Sequence, residues 1–255
     1  MAKKPYYFVS SLARGIKILE ILAEKGPATV TELATYLGVH RTASHRFLNT
    51  FRDLGYVVQD SSSRYKLSFR LFEQGMKTVH ALKIEKMARP FMEELAEFSK
   101  ETVNLGYLDG KEIVYIDKII TRNILRMEFA LGCRVPAQGS AMGKSAMAFL
   151  PQIELQPIIK TISFKAYTSK TIITPAKLVE ELERVRKNGF AIDDEESAMG
   201  VRCVAAPILD YKGPTRYAMS IAGPTSRMTN EKLPRFQKRI KLACTNLSRE
   251  MGYKG

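Results

Sequence analysis

Histidine is scarce and lopsided in this 255-residue chain: His40, His45 and His80 are its whole complement. Everything after position 80 lacks it, which weighs against a histidine-based hydrolytic triad or a histidine-ligated metal there. Cysteine is as sparse. Cys133, Cys203 and Cys244 are odd in number, far apart and form no CxxC unit. They read as reduced thiols of a cytoplasmic protein, neither a disulfide framework nor a zinc knuckle. No apolar run approaches the roughly 20 residues that cross a bilayer. The opening MAKKPYYFVSS lacks the continuous apolar stretch of a signal peptide. The expectations are therefore a cytoplasmic location, no membrane partner, no metal and no cofactor. Internal repeats and low-complexity tracts are missing as well. Acids are outnumbered, 26 against 40 Lys and Arg, for a formal charge of +14. The excess is densest at the front, where the first 90 residues carry 15 basic and 7 acidic side chains. Such a balance favours a polyanionic partner.

What is present is a chain long enough for two domains, with an ordinary 45% hydrophobic content. Leu12, Ile16, Leu19 and Ala23 line one side of a first helix, which Gly26-Pro27 ends. Thr29 and Glu32 have the spacing of a capping box at the head of a second, with Leu33, Ala34 and Leu37 inward and Gly38 at the turn. A third runs from about His40 to Leu54 and is expected to bury Ala43, Phe47, Phe51 and Leu54. Two strands, Tyr56–Val58 and Tyr65–Leu67, flank a polar turn. Three helices and a small hairpin make a winged helix-turn-helix, whose third helix suits a DNA major groove. Its exposed candidates are His40, Arg41, Thr42, Ser44, His45 and Arg46, joined by Thr31 from the preceding helix and by Arg64 and Lys66 from the wing. An ordinary solvated helix pair and surface turn are the alternative reading.

Phe72, Met76 and Val79 define a linker helix suited either to pairing with a second copy or to spacing two domains. Ile84–Ser99 reads as a packing helix through Met87, Ala88, Phe91, Met92 and Leu95. Strands are expected at 103–108, 112–117, 125–129, 190–193, 201–208 and 217–221, the first two joined by the hairpin signal Asp109-Gly110. Between them lie a helix opening at Gly139, another started by Thr174-Pro175 and stopped by Gly189, and a terminal helix at 229–251. This pattern predicts an α+β domain with a mainly antiparallel, helix-covered sheet.

GSAMGK at 139–144 has three residues between its glycines, not the four of a phosphate-binding loop. The N–H groups of Ser140, Ala141 and Met142 at a helix start would still suit a small carboxylate, or the glycines could merely permit a tight strand-to-helix passage. Asp193-Asp194-Glu195-Glu196 follows a strand with no second oxygen-rich motif, as a solvated or hydrogen-bonded turn does. Cys203 sits mid-strand among apolar neighbours.

Six segments together, SLARGIKILEIL (11–22), TELATYLGVHRTASHRFLNTFRDLGYV (31–57), YKL (65–67), GSAMGKSAMAFL (139–150) and above all ELERVRKNGFAIDDEESAMGVRCVAAPILD (181–210) with SIAGP (220–224), resemble the isocitrate lyase regulator (IclR) family of bacterial transcription factors. The resemblance implies a winged helix-turn-helix at 1–70, a linker helix at 71–83 and a GAF-like effector and oligomerisation domain at 84–255. It further implies a homodimer or tetramer on double-stranded operator DNA, repressing or activating in response to a small organic or aromatic acid. The family's effector pocket falls here on Ile124, Met127, Ala141, Met142, Asp193, Val201, Cys203, Ser220 and Ala222, and the resemblance favours the carboxylate site beginning at Ser140. Met142 and Ala222 depart from members that bind the smallest keto acids, which argues against a two-carbon effector and leaves a longer or aromatic acid open. Asp193 would repel a carboxylate, so it must carry a proton, accept from a ligand hydroxyl, or cap the backbone of its own turn; the last is preferred. The rivals are an enzyme of small acids and a structural DNA binder without operator preference.

Overall fold

The computed structural model describes residues 7–82 and 84–254, and the side chains at 76 and 78–82 lie outside the described set. The expected contribution of Met76 and Val79 to a linker face therefore falls outside the described residues. The chain divides into two compact units, residues 1–81 and 82–255.

In the first unit, α1 (Ser10–Lys25), α2 (Val30–Leu37) and α3 (Arg41–Asp53) precede a hairpin of β1 (Val57–Gln59) and β2 (Tyr65–Leu67), and α4 (Phe69–Leu82) follows. The capping box at the head of α2 is complete. Thr29 accepts from the Glu32 N–H, and the Glu32 carboxylate accepts from the Thr29 N–H at 2.7 Å. Gly38 ends α2 in the left-handed region at φ 63°, a conformation glycine adopts without strain. Ile18, Ile21, Leu22, Leu33, Leu48, Val57 and Tyr65 form the core.

The inner stripe of α3 differs from the one expected. Ser44 and Leu48, one turn apart, are fully buried, Phe47 and Phe51 are half-buried, and Leu54 is exposed. The polarity of Ser44 misled the sequence reading, for its position and not its hydroxyl decides which way it faces.

The second unit is a six-stranded antiparallel sheet in the order β5-β4-β3-β8-β7-β6, from β3 (Thr102–Asp109), β4 (Glu112–Ile119), β5 (Arg134–Pro136), β6 (Ala191–Asp194), β7 (Val201–Asp210) and β8 (Gly213–Pro224). One face carries α5 (Ile84–Ser99) and α9 (Leu233–Glu250); Val204, Ala206, Met219 and Ile221 point into that layer. The alternate residues Ala205 and Ala218 point into the other, built on α6 (Ala141–Phe149), α7 (Gln152–Thr161) and α8 (Pro175–Asn188). With helices on both faces the central strands are buried on both sides.

Two expectations fail here. Residues 125–129 alternate like a strand yet join no ladder. Their carbonyls are met by side chains instead: Arg227 donates to the Leu125 oxygen at 2.8 Å and Lys118 to the Phe129 oxygen at 2.8 Å. The edge strand is β5, further on. The helix α7 was not foreseen because Pro157, which offers no N–H, interrupts its pattern.

Candidate functional site

Two places merit attention, one in each unit. In the first, α3 presents Arg41, Thr42, His45 and Arg46 to solvent, with His40 at its N-cap and Thr31 exposed on α2. No acid sits in the first turn of α3, so its positive end is uncompensated. Asn49, one turn beyond His45, approaches the imidazole Nδ1 at 3.4 Å; the four-residue spacing could have flagged it. Lys66 is exposed on the wing. Arg64 has another engagement: it donates to the Pro27 carbonyl at 2.7 and 3.1 Å and lies 3.3 Å from Glu32, binding the wing to the capped end of α2. Ser44, expected on the DNA-facing side, is buried with its hydroxyl unpartnered and takes no part in that surface.

In the second unit a narrow cleft of about 30 Å³ opens where α6 begins. Ser140, Ala141 and Met142 form one wall, Val201, Cys203 and Ser220 the floor, and Asp193 with Ser197 the opposite wall. Tyr115, stacked on Phe129 at 4.7 Å, and Val135 close the remaining side. Phe129, Val135 and Ser197 also border a neighbouring apolar chamber of about 240 Å³ that reaches Met127, Pro136 and Tyr167.

The local sequence builds the first wall tightly. Ser140 caps α6 by accepting from the Gly143 N–H at 3.0 Å. A Cβ at Gly143 would stand 2.2 Å from the Ala137 carbonyl oxygen, so glycine alone lets the helix press on the preceding 3-10 turn. The Ser140 N–H reaches Ala137 O at 3.4 Å, which leaves those of Ala141 and Met142 without an intrahelical partner. The lining itself holds no Lys or Arg, and this helix end brings positive potential to it. Cys203 is a neutral thiol, its pKa pushed well up by burial.

Asp193 is 2% exposed, and its Oδ1 accepts the N–H groups of Glu196 at 2.8 Å and Ser197 at 3.2 Å, while Oδ2 accepts the Ser197 hydroxyl. It caps its own turn. Burial nevertheless holds its carboxyl above the usual range, against the pull of those hydrogen bonds. Glu196 is raised further, to about 7, because desolvation outweighs the attraction of Lys144.

Residues 11–61 match the IclR helix-turn-helix domain, and residues 76–249 match the bacterial transcriptional regulator IclR C-terminal domain. The chain belongs to the IclR family of bacterial transcriptional regulators. It is 35% identical over 246 residues to the HTH-type transcriptional regulator KdgR of Escherichia coli, covering 96% of this chain and 94% of that protein. It is 34% identical over 232 residues to the transcriptional repressor IclR of the same organism, covering 89% and 85%. The crystal structure of the Thermotoga maritima IclR superposes with a TM-score of 0.80 at 31% identity, over 95% of this chain and 99% of that one.

The cleft gathers seven of the ten residues expected of an effector pocket: Ser140, Ala141, Met142, Asp193, Val201, Cys203 and Ser220. Met127 borders the neighbouring chamber instead. Ile124 is fully exposed on the irregular 120–133 segment, and Ala222 is buried within β8 outside the lining. Neither joins the cleft, although Ala222 shares the Ser220 face of β8 and pairs with Cys203 on β7. Sequence reading missed Tyr115, Phe129, Val135 and Ser197, whose convergence depends on the sheet order. Among the described residues, no group of three His, Cys, Asp or Glu could hold a metal ion, and no helix is long and apolar enough to cross a membrane.

Proposed function

We propose that the chain is a ligand-responsive regulator that binds a palindromic operator as a dimer or tetramer in the cytoplasm. Residues 1–70 read DNA, 71–83 link, and 84–255 sense an organic acid and mediate self-association. Arg41 and His45 reach base edges, while Thr42, Arg46 and Lys66 meet phosphates. The acid places its carboxylate on the N–H groups of Ala141 and Met142 and near Ser220. Its less polar body lies against Val201, Cys203 and the Tyr115–Phe129 stack, with the chamber beside Met127 taking a longer or aromatic portion. The observation that carries this reading is the capped start of α6 facing a mainly apolar cleft, a positive end in a lining without a cation. Asp193 is occupied with its own turn and is not asked to touch the carboxylate.

Repression is the favoured sign, since relatives include the transcriptional repressor IclR, the acetate operon repressor of Salmonella typhimurium and the transcriptional repressor AllR of Escherichia coli. The test is a titration of the full chain with aromatic and aliphatic carboxylates while operator binding is followed. The response should vanish in Cys203→Phe, which fills the cleft, and operator binding without ligand should persist. A full response in that variant places the acid elsewhere.

A further inference from the structure

One fully buried cation stands just outside the cleft. Lys144 lies on α6 one turn beyond the cleft wall, and its side chain is inaccessible to solvent. Its Nζ is hydrogen-bonded to Glu196 Oε1 and lies 3.6 Å from Glu181 Oε1 on α8; Arg184 holds the other Glu181 oxygen at 2.8 Å. A buried ion pair is a poor source of net stability, because an apolar residue of like volume often does as well. The question is what else the pair does.

Glu196 is the hub of the segment 195–200, which has no strand ladder of its own to order it. Its N–H is held by Asp193 at 2.8 Å, its carbonyl accepts the Thr171 hydroxyl at 2.6 Å, and its carboxylate is held by Lys144. Ser197, the next residue, borders both the cleft and the neighbouring chamber. The two walls, the start of α6 and the 193–198 turn, are thus joined behind the cleft through Lys144 and Glu196.

We propose that Lys144 is a positioning residue of the effector cleft, its buried ammonium fixing Glu196 and through it the placement of Asp193 and Ser197 in the opposite wall. The proposal rests on the reading of this cleft as the effector site. The charged groups facing Glu196 are Lys144 from α6, Glu181 from α8 and Asp193 from β6. Glu196 Oε2 is buried with no partner, so this oxygen is where a proton enters the network. A purely steric lysine would leave the behaviour of the turn independent of that proton; a charge clamp ties the two together.

The test uses the full chain as K144M, E196Q and the double variant, with amide exchange of peptides spanning 194–200 followed by mass spectrometry across about pH 6 to about pH 8 and corrected for intrinsic rates. K144M should speed exchange there by about tenfold or more while peptides from β7, β8 and α9 keep their protection. The double variant, which leaves neither charge unpaired, should recover most of the loss. Wild-type protection should change through a midpoint near 7, where Glu196 titrates. K144M should move that midpoint upward, and E196Q should abolish it. Unchanged exchange at 194–200 in K144M, or a loss spread evenly over the sheet and α9, overturns the proposal. If K144M proves too unstable to study, E196Q decides: it should loosen the same peptides and flatten their pH profile, and a wild-type profile overturns the proposal. Parallel titrations use benzoate, phenylacetate, hexanoate and 2-oxobutanoate. An acid whose binding is lost in Cys203→Phe should bind K144M at least several-fold more weakly, and equal affinity overturns the positioning role. Should none of the four bind the wild-type chain, the effector reading loses its support, while the exchange data still decide whether Lys144 holds the turn.

Discussion

Asp193 and Glu196 show how one short turn carries most of the residue-level consequences. Asp193→Asn keeps one carboxamide oxygen for the two N–H groups but turns an NH2 towards the Ser197 hydroxyl. It should cost about 1–3 kcal/mol, read as a lower thermal midpoint. Glu196 has a defined pH signature. Its carboxyl rises from an ordinary 4.5 to about 7 on folding, so between those values the folded chain holds a proton that the unfolded chain releases. The stability it contributes is present in full below about 4.5 and is lost as pH rises through about 7. Wild type should therefore lose stability relative to Glu196→Gln as pH rises from about 5 to about 8, by an amount on the order of 1 kcal/mol or more. Urea unfolding of the two proteins at several pH values measures it; a difference that stays flat, or grows in the other direction, contradicts the raised carboxyl. Little of this was legible in the sequence. Asp193 could be read as a cap because an acid after a strand commonly fixes a turn. Lys144 and Glu196 lie 52 positions apart, and nothing local distinguishes their charges from solvated ones. Ser44 failed for the same reason in reverse: a small polar residue carries no local mark of burial.

At the scale of elements, α5 was bounded at Ile84–Ser99 from apolar spacing alone, and other helices announced their own ends. The capping box of α2 and the Thr174 cap, Pro175 start and left-handed Gly189 stop of α8 are local chemistry, readable without the fold. The 125–129 segment and α7 were misread because long-range side-chain bonds in one and a proline in the other override the local pattern. The same logic makes the DNA-binding unit testable by element. Thr29→Ala removes one half of the capping box and should cost about 1 kcal/mol. Arg64→Ala, which frees the Pro27 carbonyl from the wing, should likewise lower the thermal midpoint. On α3, Arg41→Ala and His45→Ala should each weaken binding to an operator selected from random duplexes more than to random DNA, by about 1–3 kcal/mol where a bidentate base contact is lost. Thr42, Arg46 and Lys66 changes should weaken both alike. Ser44→Ala, by contrast, should leave the operator preference intact, since its side chain is buried. An unchanged operator-to-random ratio in both Arg41→Ala and His45→Ala at fixed salt would remove α3 from the reading surface.

At the scale of the whole molecule, the charge of +14 and the symmetry of helix-turn-helix recognition lead to one joint expectation. A single α3 covers one half-site, and a palindromic operator asks for two, spaced by about one helical turn, or about 34–36 Å, or a multiple of it. The chain should therefore scatter light as at least a dimer, and a duplex carrying both half-sites should bind far more tightly than one carrying a single half-site. Phe69 and Phe72 on α4 are 78% and 60% exposed and packed edge to face on each other, an apolar pair that water does not favour. A Phe69→Ser/Phe72→Ser variant should shift the mass towards the monomer and narrow the gap between full and half operator, with the fold retained by circular dichroism. Affinity for any duplex should fall steeply with salt, because phosphate contacts release counterions, while the full-to-half ratio, set by the second copy, should change far less. A wild-type chain that remains monomeric both with and without a full operator would refute the paired reading, and the basic first third would then serve single-site or nonspecific DNA binding.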